Sequence, residues 1–204
     1  MALRVLARIV SPVYARETFS LMSVDPSQFW PPDFSWPPEI EIRVAGPEDA
    51  AALDGLWVPP SPENVALFKK RMEAGYVCLT AWHQKKIVGI MWISDCGDDE
   101  VLTGLQIRTR PGSAYVLDLH VSPPHRGKRI GPALIAFAIA EGKQRGFRKG
   151  YIFVSSMNAP MLRLATALFG AQKVGYIRTT WVFRRPFSSW QVRELSGRGG
   201  VLLL

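Results

Sequence analysis

The chain has 204 residues, 48% hydrophobic and 21% charged, and carries a net charge of +8. Those totals describe one soluble globular domain with a real core and exclude a disordered chain, and no apolar run reaches the roughly 18–20 residues of a membrane-spanning helix. The two cysteines, Cys78 and Cys96, form no CxxC or Cys/His cluster, so neither a metal site nor a disulfide framework is expected, and a reducing, cytoplasmic setting is.

In chain order, Met1–Val10 places Leu3, Leu6 and Val10 at helical spacing, with Arg4 and Arg8 on another side and Pro12 as a stop. An extended stretch follows, rich in proline and aromatics (Phe29, Trp30, Phe34, Trp36). Residues 1–39 are therefore expected to be an arm with a short basic amphipathic helix. The arm either touches a membrane surface or a partner, or packs across the domain to bury its rings.

The core domain is expected over 40–185. Glu39–Val44 alternates like a strand. Pro47-Glu48-Asp49 starts a helix that runs through Leu53, Leu56 and Trp57, and Ser61-Pro62-Glu63 starts another that stops at Gly75. Tyr76–Trp82 and Ile87–Ser94 flank a short polar turn and predict a hairpin. Cys96–Asp99 reads as a loop and Val101–Arg108 as a strand. Tyr115–Val121 is a strand, and Gly131 opens a largely apolar helix to about Gln144. Lys149–Ser155 is a strand, Asn158 caps a helix to about Leu168, and Val174–Ile177 with Arg178–Phe183 read as a last pair of strands. Residues 186–204 are expected to be a tail. The fold class is α/β with a mixed sheet, not a regular doubly wound one.

The segment between Val121 and the following helix carries the most chemistry. Arg126-Gly127-Lys128-Arg129-Ile130-Gly131 offers a run of backbone N–H groups, two glycines, three basic side chains and a helix N-terminus behind them. Such a loop suits a pyrophosphate. It lacks the Gly-Lys-Ser/Thr ending of a Walker loop and the G-x-G-x-x-G of a dinucleotide fold.

With its flanks, the segment resembles the GNAT superfamily of acyl-CoA-dependent N-acetyltransferases. Leu119, Val121 and Pro123 match the Leu-x-Val-x-Pro strand of that family, and Arg126, Gly127, Ile130, Gly131 and Leu134 match its loop and helix. The loop's middle glycine is replaced by Arg129. Asn158, Leu162, Leu168, Gly170 and Val174-Gly175 resemble a second family segment. The resemblance implies a mixed sheet with splayed central strands and helices on both faces. It further implies that Leu119, His120 and Val121 hold the pantetheine of acetyl-CoA, that Arg126, Gly127, Lys128, Arg129, Ile130 and Gly131 hold the pyrophosphate, and that Asn158 lies near the pantetheine.

Acyl transfer to an amine needs a base, and Asp118 and His120 are the candidates; the imidazole has the better intrinsic pKa. The resemblance implies an acid or histidine four or six residues before Val121, positions held here by Leu117 and Tyr115, so Tyr115 joins the candidates. Regular alternation would put Asp118 and His120 on one face of the strand and Tyr115 on the other, and a bulge would change that parity. The resemblance also implies a tyrosine, as acid for the departing thiolate, at the position held by Ala165.

The expected function is transfer of an acetyl group from acetyl-CoA to a primary amine of a small molecule or peptide. The alternative is a CoA-binding module with little catalysis. No nucleic-acid partner is expected, the N-terminal arm offers a peripheral membrane or protein contact, and the assembly is a monomer or homodimer.

Overall fold

A computed structural model describes residues 14–28, 37–56, 60–100, 103–183, 185–192 and 195–204. The expected helix at 1–10, the rings at 29–36 and Trp57 lie outside the described residues. The chain divides into two compact units. One comprises Asp25–Asp95 and Pro111–Gly150; the other comprises Cys96–Arg110 and Tyr151–Leu204 with the strand that ends at Val24.

The first of these, the loop-bearing unit, is an antiparallel sheet in the order β2 (Glu41–Val44), β3 (Val77–His83), β4 (Lys86–Ser94) and β7 (Ser113–Val121). The β3–β4 hairpin turns through Gln84 and Lys85, both left-handed at φ 48° and 63°, the geometry of a tight two-residue turn. A 3-10 turn at Pro47–Asp49 leads into the short helix α1 (Ala50–Asp54), so the expected helix ends before Leu56. Helix α2 (Pro62–Glu73) is capped by Ser61, whose Oγ accepts the Asn64 N–H at 3.2 Å. It stops at Gly75, φ +86°, while the Tyr76 N–H returns to the Arg71 carbonyl at 2.9 Å. Helix α3 (Ile130–Gln144) presents Ile130 and Leu134 to the sheet beside Gly89, where a Cβ would come within 3.2 Å and 3.1 Å of their methyls. Phe68 of α2 stacks on Trp92, the residue three on in the same strand and therefore on the other face, at 5.9 Å. Helices thus cover both faces, which is why β4 reads as a nearly continuous apolar run from Ile87 to Ile93.

Arg43 and Asp49 tie β2 to the turn ahead of α1. Two guanidinium N–H groups reach the carboxylate at 2.8 and 2.9 Å, and the Gly46 N–H reaches it at 3.0 Å. The Arg43 hydrogen bonds, helped by the Gly46 N–H, hold the Asp49 carboxyl below its ordinary pKa. A depressed folded-state pKa gives stability that is present above the unfolded value, near 3.9, and lost as pH falls through the folded one. Asp49→Asn is expected to cost about 2 kcal/mol in urea unfolding at pH 7. That difference should close as the pH drops below about 3.9.

In the second unit β1 (Tyr14–Val24) pairs antiparallel with β9 (Gln172–Val182), and β9 with β10 (Arg185–Val192), which pairs with β11 (Leu195–Arg198). The strand order is β11-β10-β9-β1-β8, with β8 at Lys149–Ser155. Phe19, Leu21, Ile177 and Thr179 are buried on one face. A small second sheet joins β5 (Asp98–Glu100), β6 (Leu105–Arg108) and β12 (Val201–Leu203).

Three expectations change here. Residues 14–24, assigned to the arm, are a strand of this sheet, because Phe19 and Leu21 alternate with small polar residues and bury against β9. The expected last pair of strands is one 11-residue strand, with no turn between Ile177 and Arg178. The expected tail supplies β10, β11 and β12; its glycines sit at close approaches and turns, as at Gly197, where a Cβ would meet the Trp190 ring at 2.6 Å.

Candidate functional site

The site begins with an extra residue. The seven residues Tyr115–Val121 of β7 are matched by only six of β4, Gly89–Ser94: His120 faces Ile90, Leu117 faces Trp92, and Met91 is left opposite both Asp118 and Leu119. This is a β-bulge, with Asp118 left-handed at φ 52°. It reverses the parity expected from simple alternation. Tyr115, paired with Ser94, and Leu117 lie on the face of Trp92, and the bulge returns His120 to that same face.

Arg71, in the last turn of α2, holds the bulge. Its Nη1 donates to Asp118 Oδ2 at 2.6 Å, and its guanidinium lies 5.4 Å from the centre of the Trp92 ring and 5.9 Å from that of Tyr76. The Arg71 side chain is only 13% exposed and that of Asp118 36%. The Asp118 carboxylate is therefore committed to an ion pair rather than presented alone to a substrate. Sequence reasoning missed Arg71: it follows Lys69 and Lys70, and nothing in that run says which basic side chain turns inward. Arg71→Leu, which keeps an apolar stem over Trp92, is expected to cost about 2 kcal/mol in urea unfolding, by leaving a partly buried carboxylate unpaired. Adding Asp118→Asn should restore part of that loss, and a double-mutant cycle measures the coupling.

His120 is half-buried. Burial, and next the Arg126 charge, push its imidazole below the ordinary histidine pKa, with Asp118 opposing them. The ring is thus neutral at pH 7, the state a proton acceptor needs. Tyr115 is 2% exposed and packs in the core of its unit, so its phenol is not presented at the surface. The Cys78 thiol, pushed up to about 12 mainly by burial, is no thiolate nucleophile.

Beyond Val121 the chain makes a 3-10 turn over Pro123–His125. The His125 N–H bonds the Ser122 carbonyl at 2.9 Å, and the Arg126 N–H bonds that of Pro123 at 3.3 Å. Ser122 Oγ and His125 Nδ1 are 2.8 Å apart, and the His83 ring meets His125 edge-on at 5.3 Å. Arg126 folds back, its Nε donating to the Val121 carbonyl at 3.0 Å. From here the backbone donors open up. The N–H groups of Gly127, Lys128, Ile130 and Gly131 meet no acceptor among the described residues. Of the six donors expected, the Arg126 N–H is thus used by the turn. Gly127 is left-handed at φ +77°, with nothing within 4 Å of where a Cβ would stand. Arg129 is the N-cap of α3 and also left-handed, φ 60° and ψ 11°. That conformation is natural for glycine and costs another residue roughly 1–2 kcal/mol. The loop keeps the geometry with an arginine in place, and adds a charge beside the free donors.

Asn158 lies in the other unit. It caps helix α4 (Ala159–Arg163), its Oδ1 accepting the Met161 N–H at 3.2 Å. The chain continues as a π-helical turn, Leu164–Leu168. The expected helix is thus present in two forms. Ala165 is packed with Met22, Val154 and Ala171, and Thr166 Oγ1 bonds back to the Leu162 carbonyl at 2.9 Å.

An orphan-donor cradle at a helix N-terminus, behind a bulged strand, can take up a pyrophosphate and keep a neutral imidazole beside the strand's backbone. The sequence profile of the Acetyltransferase (GNAT) family matches residues 48–171, more than half of the chain. Similar folds include a GCN5-related N-acetyltransferase from Sphaerobacter thermophilus (21% identity, TM-score 0.59, covering 90% of this chain and 56% of that one). A Drosophila protein is similar at 18% identity and a TM-score of 0.60, covering 90% and 57%. The ribosomal-protein-S18-alanine N-acetyltransferase of Escherichia coli is similar at 17% and 0.50, covering 63% and 76%. The chain thus spans little more than half the length of the first two. No curated protein matches the sequence.

Proposed function

Since the chain belongs to the GNAT acetyltransferase family, we propose that it transfers an acetyl group from acetyl-CoA to a primary amine of a small molecule or peptide. The observation that carries this reading is the donor run at Gly127, Lys128, Ile130 and Gly131, which no group of the described chain satisfies. Those donors, with Lys128 and Arg129, would take the pyrophosphate. Leu119–Val121 would line the pantetheine with backbone.

The thioester supplies an activated acyl carbon. The amine nitrogen bonds to that carbon as the C–S bond breaks, the nitrogen's proton goes to a base, and the sulfur takes a proton from solvent. His120 is the base in this reading, since Asp118 is held by Arg71. Tyr115 supports β7 from the core. A cytoplasmic setting belongs to the same reading.

Ala165 favours a second reading, a CoA-binding module with slow transfer, because a methyl packed in the core cannot protonate a thiolate. Calorimetric titration with acetyl-CoA, followed by CoA-thiol release over a panel of primary amines, separates the two. Binding with turnover supports transfer; binding without turnover supports the module. Absence of binding at near-millimolar acetyl-CoA sinks both.

A further inference from the structure

The sheet of the second unit has one face that the acyl-transfer reading does not use. Residues paired directly across antiparallel strands point the same way. The pairs Arg16↔Thr180, Thr18↔Arg178, Phe187↔Thr180, Ser189↔Arg178, Arg185↔Val182 and Ser189↔Arg198 therefore put Arg16, Arg178, Arg185 and Arg198 on a single face of β1, β9, β10 and β11. All four are exposed, and none pairs with a carboxylate among the described residues. No Asp or Glu shares this face among the described residues: Glu17 pairs with Thr179, on the buried side.

Rings are set between these charges. Tyr14 (54% exposed) and Phe187 (60% exposed) stand on the same face, as does Tyr176. The Arg178 guanidinium lies 5.6 Å from the centre of the Tyr176 ring, a ready cation–π pair. Threonine and serine hydroxyls fill the gaps, at Thr18, Thr180 and Ser189.

We propose that this face binds single-stranded nucleic acid. Unpaired guanidiniums with no carboxylate among them call for a polyanion. Flat exposed rings between those guanidiniums call for a polyanion with its own aromatic faces, and the hydroxyls can bond base edges. A lipid surface would have to bury those same hydroxyls in apolar material, which is costly. An acidic polymer without bases would leave the rings unused. This goes beyond the sequence reading, which expects no nucleic-acid partner: the arginines lie on four strands and form no run in the sequence.

The test is fluorescence anisotropy of the full chain with labelled U-rich RNA and matching single-stranded DNA, each of about 15 nucleotides. Duplex of the same length, heparin and phosphatidylserine vesicles serve as comparisons. Four phosphate contacts on a single strand predict an affinity that falls about 50-fold between about 50 and about 200 mM salt. Arg16→Gln or Arg178→Gln should weaken binding and flatten that dependence. Phe187→Ala and Tyr176→Ala should weaken single-strand binding about fivefold or more while leaving heparin binding unchanged. Circular dichroism checks that each variant is folded, and acetyl-CoA affinity should be unaffected in all four. No single-strand binding below about 100 μM at about 50 mM salt overturns the proposal. So does binding to duplex, heparin or vesicles that is as tight as to the single strand, or an unchanged single-strand affinity in both ring variants.

Discussion

His120→Ala is expected to lower kcat about 100-fold while leaving the affinity for acetyl-CoA within about threefold. The expectation rests on position and charge. The bulge at Asp118 and Leu119 returns the imidazole to the face of Trp92, and burial with the Arg126 charge lowers its pKa. A base works only in its neutral form, and a lowered pKa keeps that form populated to lower pH. The decline that protonation of His120 imposes on the wild-type rate should therefore set in only below about 6.5, apart from the limb that the acceptor amine sets at higher pH. The alanine variant should lose this acid limb, while the limb set by the acceptor amine's own ionisation, at higher pH, stays. Steady-state pH profiles of both proteins provide the check. A variant that keeps both its rate and its acid limb would remove His120 from the role.

Gly127→Asp is expected to weaken acetyl-CoA binding about 30-fold or more in calorimetric titration. The position is open, so no steric clash intervenes, and the left-handed φ of +77° is one that aspartate tolerates better than most residues. A carboxylate here competes for the free donors of Lys128, Ile130 and Gly131. It also repels the phosphates, by about 1–4 kcal/mol for unit charges at about 4 Å, depending on screening. Gly127→Asn places the same shape in the same conformation without the charge, and its affinity should stay within about threefold. Equal losses in the two variants would assign the effect to backbone geometry instead. Equal retention in both would place the pyrophosphate elsewhere.

How much could be read in advance follows from how each segment is buried. The loop from Arg126 to Gly131 was legible because its chemistry is local: glycines, charges and a helix start are all written in consecutive residues. The hairpin, the Ser61-capped helix α2 and the apolar helix α3 were legible for the same reason. The bulge was not placed. It depends on how β7 meets β4, and Asp118 carries no glycine to announce a left-handed residue. Strands β1, β9 and β10 bury only one face, partly with hydroxyl residues such as Thr179 and Ser188, which bond each other at 2.8 Å. Hydropathy alternation is weak when the inward positions are themselves polar. Arg71 was hidden by its equivalent neighbours, because only the fold distinguishes an inward arginine from two outward lysines.

The mismatch between Tyr115–Val121 and Gly89–Ser94 has a consequence for how this strand can vary. Its length in residues and its length in space are out of step by one, and everything after Leu119 inherits the offset. Point substitutions leave that count intact. Loss of one residue at 118 or 119 would restore regular pairing, with His120 still opposite Ile90 on the face of Trp92. Pairing all seven residues without the bulge would instead bring the imidazole opposite Gly89, where Ile130 and Leu134 already leave no room for a Cβ. With seven residues in the segment, the bulge is therefore what keeps the imidazole on the face of Trp92.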